Sequence, residues 1–135
     1  MKALRKAAGN IENLLTKLTE QDTCSAVYWT VLSSKGESFV VEKDRGVGAH
    51  YIRAPSSVGR VAYLVQTNHD WNVPDPDGRD IAANRKIAAY ASQGEVSSDN
   101  VWTVLEEHPN FNNLTLMSTV IDVKNAQIEY KLWPQ

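Results

Sequence analysis

The chain has 135 residues, 42% of them hydrophobic and 22% charged, with a net charge of −2. That is enough for one domain with its own core, and the balance is that of an ordinary globular protein. Lysines and arginines are scattered, so no basic stripe points to nucleic acid or to an anionic membrane surface. No apolar run approaches the roughly 20 residues of a membrane span. The start, MKALRKAAGNIENLL, is basic but lacks a continuous apolar core, and it is not read as a signal peptide. A single cysteine, Cys24, permits neither an intrachain disulfide nor a cysteine-based zinc site.

Leu4, Ala7, Ala8, Ile11, Leu14, Leu15 and Leu18 recur at helical spacing and predict a helix over 2–19. SAVYWTVLSS and ESFVVEKD, rich in β-branched and aromatic residues, flank a turn at Ser34–Glu37 and predict a hairpin. Residues 45–59 are glycine- and serine-rich and read as a loop, with a short strand at His50–Arg53. RVAYLVQT (60–67) predicts a third strand. NHDWNVPDPDG then reads as a long turn-rich loop, because Pro74 and Pro76 exclude regular structure.

IAANRKIAAYAS (81–92) and SSDNVWTVLEEH (97–108) predict two helices, the second capped by Ser97 or Ser98 and stopped by Pro109. LTLMSTVIDV and AQIEYKLW alternate as a second hairpin joined at Lys124–Asn125. Hairpins in place of βαβ units imply an α+β fold, an antiparallel sheet with packed helices, read as a single domain over 1–135. Trp29, Trp102 and Trp133 are expected in a core or interface.

No glycine-rich phosphate loop, HExxH or GxSxG motif is present. His50, His69 and His108 are far apart in sequence, and no metal or cofactor is expected.

Val65-Gln66-Thr67-Asn68-His69-Asp70-Trp71 resembles the TNYDxW segment of acid ceramidases and N-acylethanolamine acid amidases, which are N-terminal-nucleophile (Ntn) hydrolases. Asp77-Gly78-Arg79 resembles the family's DDR segment. Pro109 to Thr115, the strand Ser118 to Val123 followed by Gln127 and Glu129, and Ala26-Val27-Tyr28-Trp29 match further pieces in the same order. The resemblance covers most of residues 20–132 and identifies the chain with the C-terminal part of that family. It implies a place within an αββα sandwich and hydrolysis of lipid amides such as ceramides or N-acylethanolamines.

By the same resemblance, Asn68 would donate to the oxyanion of the tetrahedral intermediate, the alternative being a plain Asx-turn at a strand end. Arg79 would orient Asn68 or bias a thiol toward thiolate, the alternative being an ion pair with Asp75, Asp77 or Asp80. The chain departs from the family here: Gly78 replaces the second acid and Asp80 the second arginine. Asp70 and Trp71 read as structural. Asn113-Leu114-Thr115 is a glycosylation sequon at a place where the family has one.

The family's nucleophilic cysteine, with its nearby arginine and aspartate, lies upstream of the matched region, and residues 1–60 do not supply that constellation. Cys24 opens Thr23-Cys24-Ser25, which resembles a cleavage site but sits just before a later strand. The implied partners are a lipid amide and a preceding segment or chain bearing the cysteine, or self-association to cover apolar surface left without its second sheet. The alternative is a non-catalytic domain that binds lipid or a protein. The resemblance implies a lysosomal or secretory address; with no signal peptide read here, the cytoplasm stays open.

Overall fold

A computed structural model describes residues 10–32, 36–45, 50–70, 72–94, 96–122 and 125–134, the side chains of His50, Tyr51 and Arg53 apart. Residues 2–9 of the expected first helix, Ser34 and Lys35 of the first hairpin turn, Trp71 and Lys124 lie outside them. The described residues hold three helices and three small antiparallel sheets, an α+β mixture. They cluster into two compact units that meet at Pro55–Ser56.

The first unit holds α1 (Ile11–Glu20), β1 (Val27–Leu32), β2 (Ser38–Lys43) and β3 (His50–Arg53). Asn10 caps α1 by accepting the Asn13 N–H at 3.1 Å. The strands form one antiparallel sheet with β2 in the middle. Being central, β2 buries Val40, Val41, Glu42 and Lys43 in a row. Val41 and Val31 pack with Leu15 of α1, and Ile11, Leu14, Leu18, Trp29 and Phe39 ring that cluster. Lys43 keeps its charge solvated by protein: its Nζ donates to the Thr19 carbonyl in the last turn of α1 at 2.9 Å.

The second unit holds β4 (Ser56–Val58), β5 (Val61–Tyr63), α2 (Arg79–Ser92), α3 (Ser98–Leu105), β6 (Met117–Asp122) and β7 (Gln127–Leu132). The expected strand over 60–67 is corrected here, since only 61–63 are in a ladder. Their partner is 56–58, which the serine and glycine content reads as loop. The two are joined by Gly59-Arg60, where Gly59 has φ +61°, the conformation a two-residue hairpin needs at its first central position.

Ala83, Ile87 and Ala91, four residues apart, give α2 one buried face. Ala83 and Ile87 meet Val104 of α3, with Tyr63, Val65, Tyr90 and Val96 around them. Ser97, one of the two serines expected, caps α3 in a reciprocal box with Asn100. The helix ends at Leu105, and the cis His108–Pro109 bond follows. In β6, Ser118 and Val120 are buried while Met117, Thr119 and Ile121 are exposed. Trp102 Nε1 donates to Glu129 of β7 at 3.0 Å, Lys131 lies 4.6 Å over its ring, and Lys131 pairs with Glu106. Trp133 stacks tilted on Phe111 at 4.6 Å and donates to Ser118 Oγ at 3.1 Å. The tryptophan expectations therefore hold: Trp102 is buried, and Trp29 and Trp133 are half-buried in packing positions.

Candidate functional site

Residues 64–67 continue from β5 outside any assigned strand, and Asn68 stands at their end. Gln66 holds both sides of it. Its Nε2 donates to the Thr67 carbonyl at 2.7 Å and to the His69 carbonyl at 2.9 Å. Asn68 is itself exposed.

Downstream, proline and aspartate build a tight turn. Asp75 Oδ1 accepts the Asp77 N–H at 2.9 Å, an Asx-turn, and the Gly78 N–H bonds the Asp75 carbonyl at 2.9 Å. Gly78 has φ +68°, where a side chain would be strained. It is the residue before α2, so the helix begins at Arg79, two residues earlier than IAANRK suggests. Arg79 is thereby mounted on the first residue of a regular element.

The structure brings the two residues singled out from sequence together. Arg79 Nη2 donates to Asn68 Oδ1 at 2.5 Å. The same nitrogen lies 2.9 Å from Asp77 Oδ2, and Arg79 Nε lies 3.6 Å from Asp75 Oδ2. Arg79 is thus in an ion pair and also contacts Asn68. An arginine only donates, so the oxygen of the Asn68 amide must face it. The Nδ2–H groups are then turned away from the guanidinium.

Asp75 is the residue that sequence reasoning placed only as a possible ion-pair partner. Its side chain is 1% exposed, and His69 Nε2 lies 3.9 Å from its Oδ1. The signal was available in the Asp-Pro-Asp-Gly turn composition, but nothing in it marks one carboxylate as buried. Burial pushes the Asp75 carboxyl up. The Asp77 N–H, the Arg79 charge, the His69 ring and the Asp80 N–H together outweigh that and hold it below the usual carboxylate range.

A folded-state value below the unfolded one means that this carboxylate stabilises the fold above the ordinary aspartate range, about pH 3.9. That contribution is lost as pH falls through the lower folded value. Urea unfolding as a function of pH should therefore show wild type more stable than Asp75→Asn at neutral pH, with the gap closing in strong acid. A gap that widened in acid would contradict the assignment.

Beside Arg79 opens an apolar cleft of about 470 Å³. Tyr63, Val65, Ile87, Val101 and Val104 line it, and Gln66, Thr67 and Asn110 join Arg79 as its polar groups. Apolar walls with a few convergent polar groups are the usual makeup of a small-molecule site. Among the described residues, no three His, Cys, Asp or Glu side chains gather as a metal site. No helix there is long and apolar enough to cross a membrane. Cys24 is an exposed free thiol in the first unit, in the bend before β1.

No family model matches the chain. Curated relatives do. Acid ceramidase of Homo sapiens is 32% identical over 120 residues, and that of Rattus norvegicus is 32% identical over 123. Acid ceramidase of Mus musculus is 31% identical over 124. These matches take in 87–90% of this chain but only 29–31% of the relatives, so the chain spans about a third of their length.

Proposed function

Starting from a chain related to the acid ceramidases over nearly nine-tenths of its length, we propose that it is the C-terminal portion of an Ntn-type amidase acting on lipid amides. In this reading it contributes one part of an αββα sandwich and half of an active site. Asn68 is the oxyanion donor and Arg79 its positioning partner. The nucleophilic cysteine comes from a preceding segment or chain.

The observation that carries this reading is the Arg79–Asn68 hydrogen bond. It leaves the Asn68 Nδ2–H groups as the free end of an amide whose orientation is fixed. In the reaction, the thiolate Sγ attacks the amide carbonyl carbon and the carbonyl π pair moves onto oxygen. Asn68 Nδ2–H donates to that oxygen, where negative charge develops. Collapse breaks the C–N bond, and the amine leaves with a proton from the cysteine's α-ammonium. Water then hydrolyses the thioester and frees the fatty acid.

The cleft beside Arg79 supports the substrate class, since its apolar walls suit an acyl chain. Arg79 already faces the carboxylates of Asp75 and Asp77. A neutral amide therefore suits this site better than a fatty-acid anion, which favours release of the product. A lysosomal or secretory address, and glycosylation at the exposed Asn113, belong to the same reading.

The test is complementation. The chain is mixed or co-expressed with a segment bearing the N-terminal cysteine, and a fluorogenic N-acyl amide is followed at acidic and neutral pH. Turnover is expected only in the mixture, and intact mass spectrometry should show no processing at Cys24. Turnover by the chain alone that survives Cys24→Ala would refute the division of labour. Turnover lost in Cys24→Ala, with Cys24 found as the new N-terminus, would assign the nucleophile to Cys24.

A further inference from the structure

The Asp-Pro-Asp-Gly turn needs one oxygen of Asp75. Oδ1 supplies it by accepting the Asp77 N–H at 2.9 Å. Aspartates ordinarily sit in water, and a solvated side chain would close the turn as well. Yet the Asp75 side chain is 1% exposed, against 63% for Asp77 in the same turn. Its second oxygen is therefore surplus to the turn, and burying it costs hydration that a partner must offset. That partner is Arg79. Among the described residues, Asp75 Oδ2 and Arg79 Nε are both buried and make no hydrogen bond. They face each other at 3.6 Å, an ion pair just beyond hydrogen-bond length. His69 Nε2 lies farther off, 3.9 Å from Oδ1.

We propose that Asp75 is a positioning residue for the amide hydrolysis. Its buried second oxygen sets the Arg79 guanidinium, and the guanidinium sets which atom of the Asn68 amide meets the substrate. This inference rests on the function proposed above and adds a residue to it. Asp75 stands in neither Val65–Trp71 nor Asp77–Arg79, the two segments that supplied Asn68 and Arg79.

A guanidinium is planar and stiff, so a hold on Nε fixes where Nη2 points. Nη2 has two acceptors, Asn68 Oδ1 at 2.5 Å and the exposed Asp77 Oδ2 at 2.9 Å. Without the buried charge facing Nε, the side chain is free to follow Asp77 into water. Asn68 then loses the donor that fixes its oxygen. The two ends of an amide are nearly equal in shape, so a released Asn68 presents its acceptor as readily as its donor. An oxyanion is stabilised by the donor end alone.

Asp75→Asn tests this. The new amide keeps an oxygen for the Asp77 N–H and sets an N–H donor against Arg79 Nε, so the turn has its acceptor and the guanidinium loses its anchor. Both measurements are made where urea unfolding shows the variant folded. The first needs no hydrolysis. In nitrogen–proton correlation NMR of the chain, the Arg79 Nε–H should exchange with water at least about tenfold faster in Asp75→Asn than in wild type, and the Asn68 Nδ2–H signals should shift with it. The second uses the complemented amidase. Asp75→Asn should lower kcat about tenfold with KM changed by less than about twofold, and should cost nothing further in an Arg79→Ala background. A merely structural role predicts losses that multiply. Asp75→Ser, whose hydroxyl can close the same turn but which has no second oxygen, takes its place should Asp75→Asn fold poorly. Arg79 and Asn68 signals unchanged in a folded variant, or losses that multiply with those of Arg79→Ala, overturn the proposal. Mixtures that never turn over remove the hydrolytic reading, and the NMR result then decides alone whether Asp75 sets the Arg79–Asn68 contact.

Discussion

Asn68→Ala is expected to lower kcat of the complemented amidase by about 10²–10³-fold, the usual loss for one oxyanion donor. KM should change little, because the Nδ2–H bond strengthens only as charge develops on the oxygen. Two companion variants separate chemistry from packing. In Asn68→Asp, a carboxylate accepts from Arg79 equally well but has no N–H, so the loss should be at least as large. In Arg79→Ala, the donor remains but its amide can rotate, so a smaller loss of about tenfold is expected, with part of it recovered in Arg79→Lys. An Asn68→Ala enzyme with unchanged kcat would remove the oxyanion role and leave Asn68 as a strand-end turn residue.

The largest expected effect on stability lies elsewhere in the same unit. Trp102→Ala should cost about 3–5 kcal/mol, as large aromatic truncations in a packed interior do. Trp102 is 7% exposed and lies on α3 against the C-terminal hairpin, where its Nε1 reaches Glu129 and its ring lies under Lys131. Trp102→Phe keeps much of the ring volume but leaves Glu129 without its indole donor, so about 1–2 kcal/mol is expected. Urea unfolding followed by far-UV circular dichroism checks both. Equal losses in the two variants would mean that the hydrogen bond, and not the buried ring, holds helix to hairpin.

Elements whose pattern is local were readable from the sequence. The β-branched and aromatic content of SAVYWTVL and ESFVVEKD and the alternation in LTLMSTVIDV and AQIEYKLW mark four strands, each pairing with its sequence neighbour. Ser97 was legible as a cap because a serine ahead of a helical repeat bonds the free N–H groups there. What was not legible depends on tertiary context. Ser56 and Ser57 have little intrinsic strand preference and are in a ladder only because Gly59-Arg60 folds them back on β5. Residues 64–67 have strand-like composition, yet the assigned strand ends at Tyr63.

The site divides in the same way. Asn68 and Arg79 could be named from two segments of the resemblance, 11 residues apart, and an orienting contact was one expectation for Arg79, but its geometry was not legible. It depends on the Asp75 turn closing the loop between them. Asp75 lies outside the motif, and its burial is a property of the folded loop and not of its neighbours in sequence.

The position of Arg79 carries a further consequence. It opens α2, at the end where the aligned peptide dipoles leave a partial positive charge. A cation there is unfavourable by about 0.3–1 kcal/mol, whereas an acid would be favoured. The chain surrounds that end with Asp75, Asp77 and Asp80, and the first two lie against the guanidinium. Exchanging Arg79 for glutamate would therefore suit the helix better than the native residue does. The arginine at this end of the helix is offset by the carboxylates it faces, buried Asp75 above all, so the local cost to the helix is met by the loop that closes onto it.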